Sequence, residues 1–327
     1  MIPRYTVIVP VLRFRADEPV LASLRETAPI GGLQILVAEG RHPARQRNAA
    51  LARATGAIVV FLDNDCTISP RFWTALDLDF ARPEVEVVGG PALLRPQANG
   101  AEKIFHALLT HPFVVGPISA RYAARGVFRA TSQTELILCN LAARHAIFER
   151  TGPLSTQLYP NEENEWLDRA QRAGVHIFYD PDLQVYRPQR SSWIAMAVML
   201  LRYGIGRTRQ LQVSKWRPTA HQAAPLILLG PVLAVLLGPA YLVALGVLWL
   251  ALALLVAATC GGTLYWPQRL LAGLVAPLIP LLYATGQVLG IATLFFPIPG
   301  SQGEIAVFDE RGKPVALGRE AATELPN

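Results

Sequence analysis

The stretch Ile58-Val59-Val60-Phe61-Leu62-Asp63-Asn64-Asp65 decides the fold. Five apolar residues, mostly β-branched or aromatic, end abruptly in two carboxylates one residue apart. Such a run reads as a strand buried on both faces, the kind found in parallel sheets. Asp63 and Asp65 would then stand at the strand's carboxyl end, in the crevice where open α/β sheets bind ligands. Two hard oxygen donors so placed suit Mg2+ or Mn2+, with positions left open for substrate oxygens. A solvated turn closing a core strand is the competing reading, since Asp-Asn-Asp is ordinary turn chemistry. The neighbouring segments favour the crevice.

Upstream, residues 5–9 form a short β-rich run ending at Pro10, and residues 20–24 carry apolar side chains at helical spacing. Residues 33–38 read as a second buried strand ending at Glu39-Gly40. A helix follows, with Pro43 in its first turn and Gly56 expected as its left-handed stop after Ala54-Thr55. Arg45 and Asn48 lie three apart on it, one above the other. The free N–H groups and dipole of that helix start would seat a diphosphate. Strand, helix, strand, helix, strand is the alternation of a doubly wound sheet. Its ligand would lie across Pro10, Glu39 and Asp63. No Gly-x-Gly-x-x-Gly follows the first strand, which argues against a dinucleotide enzyme.

Downstream, residues 85–91 read as a fourth strand turning at Gly89-Gly90. Residues 97–134 read as irregular, with Arg121, Arg125 and Arg129 spacing a basic face. Residues 136–142 resume the strand pattern, and residues 143–150 make a short helix closed by Gly152. Asn161-Glu162-Glu163-Asn164-Glu165-Trp166 opens another helix, with Asn161 as N-cap, Trp166, Leu167 and Ala170 as its buried face, and Gly174 as its stop. Acidic residues in a first turn can simply complement the helix dipole. The functional alternative is that one of them points into the crevice as a general base. Residues 175–179 return as a strand.

The chain has 327 residues, 52% of them hydrophobic, and a net charge of +6. That charge suits a phosphate-rich ligand or an anionic membrane surface. Cys66, Cys139 and Cys260 show no paired spacing and imply a reducing compartment. The first residues lead straight into a strand, so no cleavable signal peptide is expected and the amino-terminal domain is expected in the cytoplasm. The apolar excess lies beyond Ala223. Residues 183–303 contain no aspartate or glutamate, while arginines crowd the segment before the apolar block. Residues 193–201, followed by Arg202-Tyr203-Gly204-Ile205-Gly206-Arg207, read as a basic helix lying along a membrane interface on the cytoplasmic side. Residues 223–258 carry no charge; as one helix they would reach ~54 Å, against a hydrocarbon core of ~30 Å. A break is expected at Gly238-Pro239. Residues 270–296 form a further span whose Gly286-x-x-x-Gly290 spacing lets helices approach closely.

With these residues in view, the chain resembles family-2 glycosyltransferases of the GT-A fold, and more narrowly membrane-anchored succinoglycan-type members. The parts that carry the likeness are Thr6-Val7-Ile8-Val9-Pro10, Arg47-Asn48 with Ala52 and Gly56, Phe61-Leu62-Asp63-Asn64-Asp65, Asn161-Glu162-Glu163-Asn164-Glu165, and Arg202-Tyr203-Gly204-x-Gly206-Arg207. The implied fold is a nucleotide-diphospho-sugar transferase domain, a doubly wound mixed α/β sheet over residues 1–188. A basic interfacial segment (189–222), a transmembrane region of about three helices (223–297) and a tail (298–327) complete the expected organisation. With three crossings that tail would lie on the far side.

The resemblance implies that Asp65 binds the metal and the sugar diphosphate, with Asp63 toward ribose, sugar or metal. It places Glu163 as the catalytic base with Glu162 as fallback, and Pro10 and Glu39 at the nucleoside. Arg202 and Arg207 match a motif near the donor diphosphate. Arg187 stands where relatives often carry a histidine. The expected activity is inverting sugar transfer from a nucleotide-diphosphate donor to a lipid-linked or membrane-proximal acceptor at the cytoplasmic face of a plasma (inner) membrane. Membrane lipids are expected partners and nucleic acid is not. A nucleotidyltransferase or a non-catalytic nucleotide-sugar-binding scaffold would be the alternatives.

Overall fold

The computed structural model describes residues 3–218, 220–261, 264–295 and 304–315. In chain order the elements are β1 (Tyr5–Val11), α1 (Pro19–Glu26), β2 (Leu33–Glu39), α2 (Pro43–Leu51), β3 (Ile58–Leu62), β4 (Thr67–Ile68), α3 (Phe72–Phe80), β5 (Val87–Gly89) and β6 (Ala92–Leu94). Then come α4 (Gly100–Leu109), α5 (Pro112–Val115), β7 (Arg129–Ala130), β8 (Asn140–Arg144), α6 (Ile147–Thr151), α7 (Glu162–Arg172), β9 (Ile177–Tyr179) and β10 (Val185–Arg187). The last are α8 (Trp193–Val213), α9 (Leu229–Leu237), α10 (Pro239–Thr259), α11 (Trp266–Val275), α12 (Leu278–Thr293) and β11 (Ala306–Phe308). Two compact units result: residues 3–93, 123–187 and 304–315 form the first, and residues 94–122 and 188–295 the second.

The first unit is a mixed sheet in the order β11-β2-β1-β3-β8-β5-β9-β7, with β4-β10-β6 as a small second sheet. β1 pairs in parallel with both β2 and β3, while β8 runs antiparallel to β3. Every residue of β3 is at most 4% exposed. Burial of each such side chain contributes about 1.5–3 kcal/mol, which fixes the strand and hence its polar tip. Gly56 admits this arrangement by close approach. A Cβ there would meet the backbone of Tyr5 and Thr6 at 2.6 Å. It is not the left-handed stop expected, and α2 ends earlier, at Leu51.

β8 begins at Asn140, four residues later than the pattern at residue 136 suggests. At the opposite edge, β11 pairs antiparallel with β2, from Ala306 opposite Glu39 to Phe308 opposite Val37. Phe308 packs against Phe14, and Arg25 donates to the Glu310 carbonyl. The described part of the tail is thus built into the same sheet as the amino-terminal strands. The rest of it, residues 316–327, lies outside the described residues, as does Phe296 at the end of the expected last span.

The second unit is helical. The segment expected to be irregular begins with α4, closed by a reciprocal cap in which Asn99 and Glu102 satisfy each other's backbone N–H groups. Ile104, Phe105, Leu108, Met196, Leu200, Val256 and Ile279 share one apolar core. The stretch expected to lie along an interface is α8, and it packs along α12. A Cβ on Gly204 or Gly286 would strike the facing backbone, and one on Gly290 would come within 2.7 Å of Thr208 Cβ. This is the close helix approach that the Gly286/Gly290 spacing implies. Among the described residues two helical stretches are long and apolar enough to cross a membrane, Pro239–Thr259 and Trp266–Thr293, and Gln222–Leu237 is a shorter apolar helix. Gly238, at φ +100°, breaks α9 from α10, with Pro239 opening the new helix. On these helices Leu236, Val243 and Leu248 are exposed.

Candidate functional site

The carboxyl ends of β1, β2 and β3 bring Pro10, Glu39 and Asp63 to one edge of the sheet, with Pro10 in register with Ala38 and Val11 with Glu39. Glu39 accepts the Phe14 backbone N–H at 2.8 Å, which holds the turn after β1 against β2. Beyond Asp63, the Asn64 amide donates to Glu18 at 2.9 Å, so the Asp-Asn-Asp turn is tied to the start of α1. Asp63 and Asp65 are both partly exposed, with side-chain accessibilities of 24% and 40%.

Two arginines organise these acids. Arg47, on α2 and 5% exposed, donates through Nη2 to Asp63 Oδ1 at 2.9 Å and through Nη1 to Glu162 Oε1 at 3.2 Å. The strand tip and the start of α7, about a hundred residues apart in sequence, therefore meet on one guanidinium. Arg187 arrives from the other side. β10 pairs antiparallel with β4, Tyr186 opposite Thr67, which carries Arg187 back past the turn. Its Nη1 lies 3.1 Å from Asp63 Oδ2, and its Nη2 lies 3.5 Å from Asp65 Oδ2. Both oxygens of Asp63 thus face guanidinium groups. Asp65 Oδ1 is buried and has no hydrogen-bond partner among the described residues.

At the start of α7, Asn161 holds a left-handed backbone at φ +88° and makes no side-chain cap to the helix. Its Oδ1 instead accepts from the Asn164 side chain at 2.9 Å. A left-handed non-glycine residue is strained, though asparagine tolerates it better than most. Glu162 and Glu163 follow, both buried. Burial first, then the adjacent Glu163 charge, pushes the Glu162 carboxyl up to about 8, against the pull of Arg47. Glu163 is placed differently: its Oε1 accepts from Asn164 Nδ2 at 3.2 Å, and Arg47 bonds its neighbour.

The remaining expected residues fall as follows. Asn48 spends its amide on Leu154, donating to the carbonyl at 2.8 Å and accepting the N–H at 3.0 Å, so it pins the loop before α7. Arg45 sits half-buried in the first turn of α2, where its backbone N–H donates to His42 Nδ1. Arg202 and Arg207 belong to the second unit, on α8. Arg202 is exposed, whereas Arg207 is buried and donates to Gln210 Oε1 at 3.1 Å. Arg47 and Arg187, to which the sequence reading gives no place in the site, hold the acids together. Arg47 could have been read as an arginine one helical turn into α2 with apolar neighbours on its own face. Arg187 needed the register of β10 on β4.

Among the described residues no three His, Cys, Asp or Glu side chains group into a metal cage. A divalent cation can nonetheless rest on one or two carboxylates with the balance of its ligands from substrate phosphates and water. The partnerless Asp65 Oδ1 fits that arrangement, with Asp63 beside it in contact with Arg47 and Arg187.

Residues 21–131 match the family described as Glycosyl transferase family 2. Glycosyltransferase AglE of Haloferax volcanii is 24% identical over 159 residues, covering 48% of this chain and 48% of AglE. The chain thus spans about half the length of that curated relative. The structure described as Mannosyltransferase PcManGT from Pyrobaculum calidifontis in complex with GDP-Man and Mn2+ superposes with a TM-score of 0.52 at 19% identity, covering 88% of this chain and 87% of that one. On its sheet order and the likeness to that structure the first unit has the GT-A fold, and residues 21–131, which include the acids at the tip of β3, are similar to family-2 glycosyltransferases.

Proposed function

We propose that the protein transfers a sugar, with inversion, from a nucleotide-diphosphate donor to a lipid-linked or membrane-proximal acceptor, as a membrane-anchored member of the succinoglycan type. The observation that carries this reading is the junction of strand tip and helix start on Arg47, which holds Asp63 and the Glu162-Glu163 pair in one cluster. Donor and acceptor chemistry need these parts within reach of each other. Asp65, with Asp63 beside it, would hold Mg2+ or Mn2+, whose charge would neutralise the diphosphate as the nucleotide leaves. Pro10 and Glu39 line the edge where the nucleoside would lie. Glu163 is the proposed base: Glu162 is committed to Arg47, which leaves its neighbour to take the proton from the acceptor hydroxyl. Arg45, Asn48, Arg202 and Arg207 remain candidate donor-site residues, and the basic segment 189–222 would suit a lipid carrier's phosphates.

The proposed setting is a cytoplasmic catalytic domain on a multi-pass anchor in the plasma membrane. The chain leaves the first unit after Arg187 and rejoins its sheet at β11. Helices between these points that cross a bilayer must therefore cross it an even number of times. The two long apolar helices supply two crossings.

The test incubates membranes containing the protein with a panel of nucleotide sugars and lipid extract, and identifies products by mass spectrometry. A glycosylated lipid with released nucleoside diphosphate is expected. Release of inorganic diphosphate would indicate nucleotidyl transfer. Donor binding without turnover would indicate a scaffold.

A further inference from the structure

We infer that Arg187 is a built-in cation of the donor site, so that a nucleoside diphosphate binds this protein substantially without a divalent metal. The inference rests on the nucleotide-sugar reading above and adds to it a residue and a cation dependence. Paired carboxylates at a strand tip ordinarily need a mobile cation to tolerate a diphosphate beside them. Here a guanidinium already lies between them, 3.1 Å from Asp63 and 3.5 Å from Asp65, on a side chain only 19% exposed. Arg47 adds a second fixed charge at 2.9 Å on the other Asp63 oxygen. The two aspartates are thus offset by two covalently attached positive charges.

A guanidinium carries five N–H donors, and the contacts to Asp63, Asp65 and Cys139 leave others for phosphate oxygens. It also holds its position without a metal's need for vacant ligands. The short antiparallel pairing of β10 with β4 sets where it stands. A purely structural Arg187 would neutralise the aspartates and leave nucleotide binding as metal-dependent as the donor set at Asp65 dictates. Cation dependence separates the two roles.

The experiment measures binding of UDP, GDP, CDP, ADP and dTDP to the detergent-purified full chain by calorimetry, with Mn2+ and with EDTA. For whichever nucleotide binds, removal of the metal is expected to weaken wild-type affinity by less than ~10-fold. Arg187→Gln should lose ~10- to 100-fold in EDTA, the range of a charge-assisted hydrogen bond. Arg187→His should bind poorly in EDTA and recover with Mn2+, and Arg187→Lys should fall between. Wild-type binding abolished by EDTA would overturn the inference even if no variant folds. So would Arg187→Gln binding as wild type does in EDTA. Strong binding with Mn2+ alone sinks the role of Arg187 but keeps the donor reading. No binding under either condition sinks both.

Discussion

Replacing Arg47 by methionine tests the junction at the centre of the site. The side chain is 5% exposed and bonds two carboxylates, Asp63 at 2.9 Å and the buried Glu162 at 3.2 Å. Removing one partner of a buried ion pair costs about 3–5 kcal/mol, mostly from the charge left behind. The lower end applies, because Asp63 keeps Arg187 and Glu162 can take up a proton. About 3 kcal/mol corresponds to a fall of ~6–12 °C in Tm for a unit of this size. The deficit should grow between pH 6 and pH 9, as the Glu162 carboxyl, pushed up to about 8 even with Arg47 present, is forced to ionise unpaired. Adding Glu162→Gln should recover most of the loss at pH 9, since the stranded charge is then gone. The assay is thermal unfolding of the purified chain followed by tryptophan fluorescence, since Trp166 lies in α7 beside Phe148. A shift under ~2 °C, or a double variant no better than the single one, would refute this account of what Arg47 does.

Three further outcomes follow from other parts of the molecule. Gly290→Leu, whose Cβ would come within 2.7 Å of Thr208, should part α8 from α12 and lower Tm by several degrees, while Gly230→Leu, in open space, should not. Asp79 is raised to about 8 by burial and then by the nearby Asp180 charge, so its protonated form favours folding below the unfolded pKa of about 4 and that stability is lost as pH rises through 8. Asp79→Asn should therefore flatten the decline of Tm between pH 5 and pH 9, and an unchanged slope would count against the buried pair. A fluorescent reporter fused after Asn327 should remain on the same side of the membrane as one fused before Met1; opposite sides would break the even-crossing rule drawn from β11.

The central sheet is legible in the sequence because its strands are buried on both faces. Residues 58–62 form an uninterrupted apolar run, residues 5–9 and 33–38 are broken only by Thr6 and Gln34, and each stretch emerges as a strand. Short elements are not legible, because pairing rather than pattern creates them. β4 and β10 have two and three residues, yet their register carries Arg187 to the acids. β11 lies in a charged tail without alternation strong enough to read, and it forms because β2 offers an open edge. The Asn99/Glu102 cap of α4 lies in a stretch that reads as irregular because His111-Pro112 and Gly116-Pro117 punctuate it. Glu162 and Glu163 are adjacent in sequence and equivalent by spacing. Only the contact of Arg47 with one of them separates their roles.

The most direct measurement compares sugar transfer and nucleoside diphosphate binding in wild type, Asp65→Ala and Glu163→Gln, using the donor that the panel identifies. Glu163→Gln should bind the nucleotide within a few-fold of wild type and lose ~100- to 10,000-fold in transfer, the range of a general base. Asp65→Ala should lose transfer together with the metal-enhanced part of binding. Sugar transfer at the wild-type rate by Glu163→Gln, with product confirmed by mass spectrometry, would contradict the account.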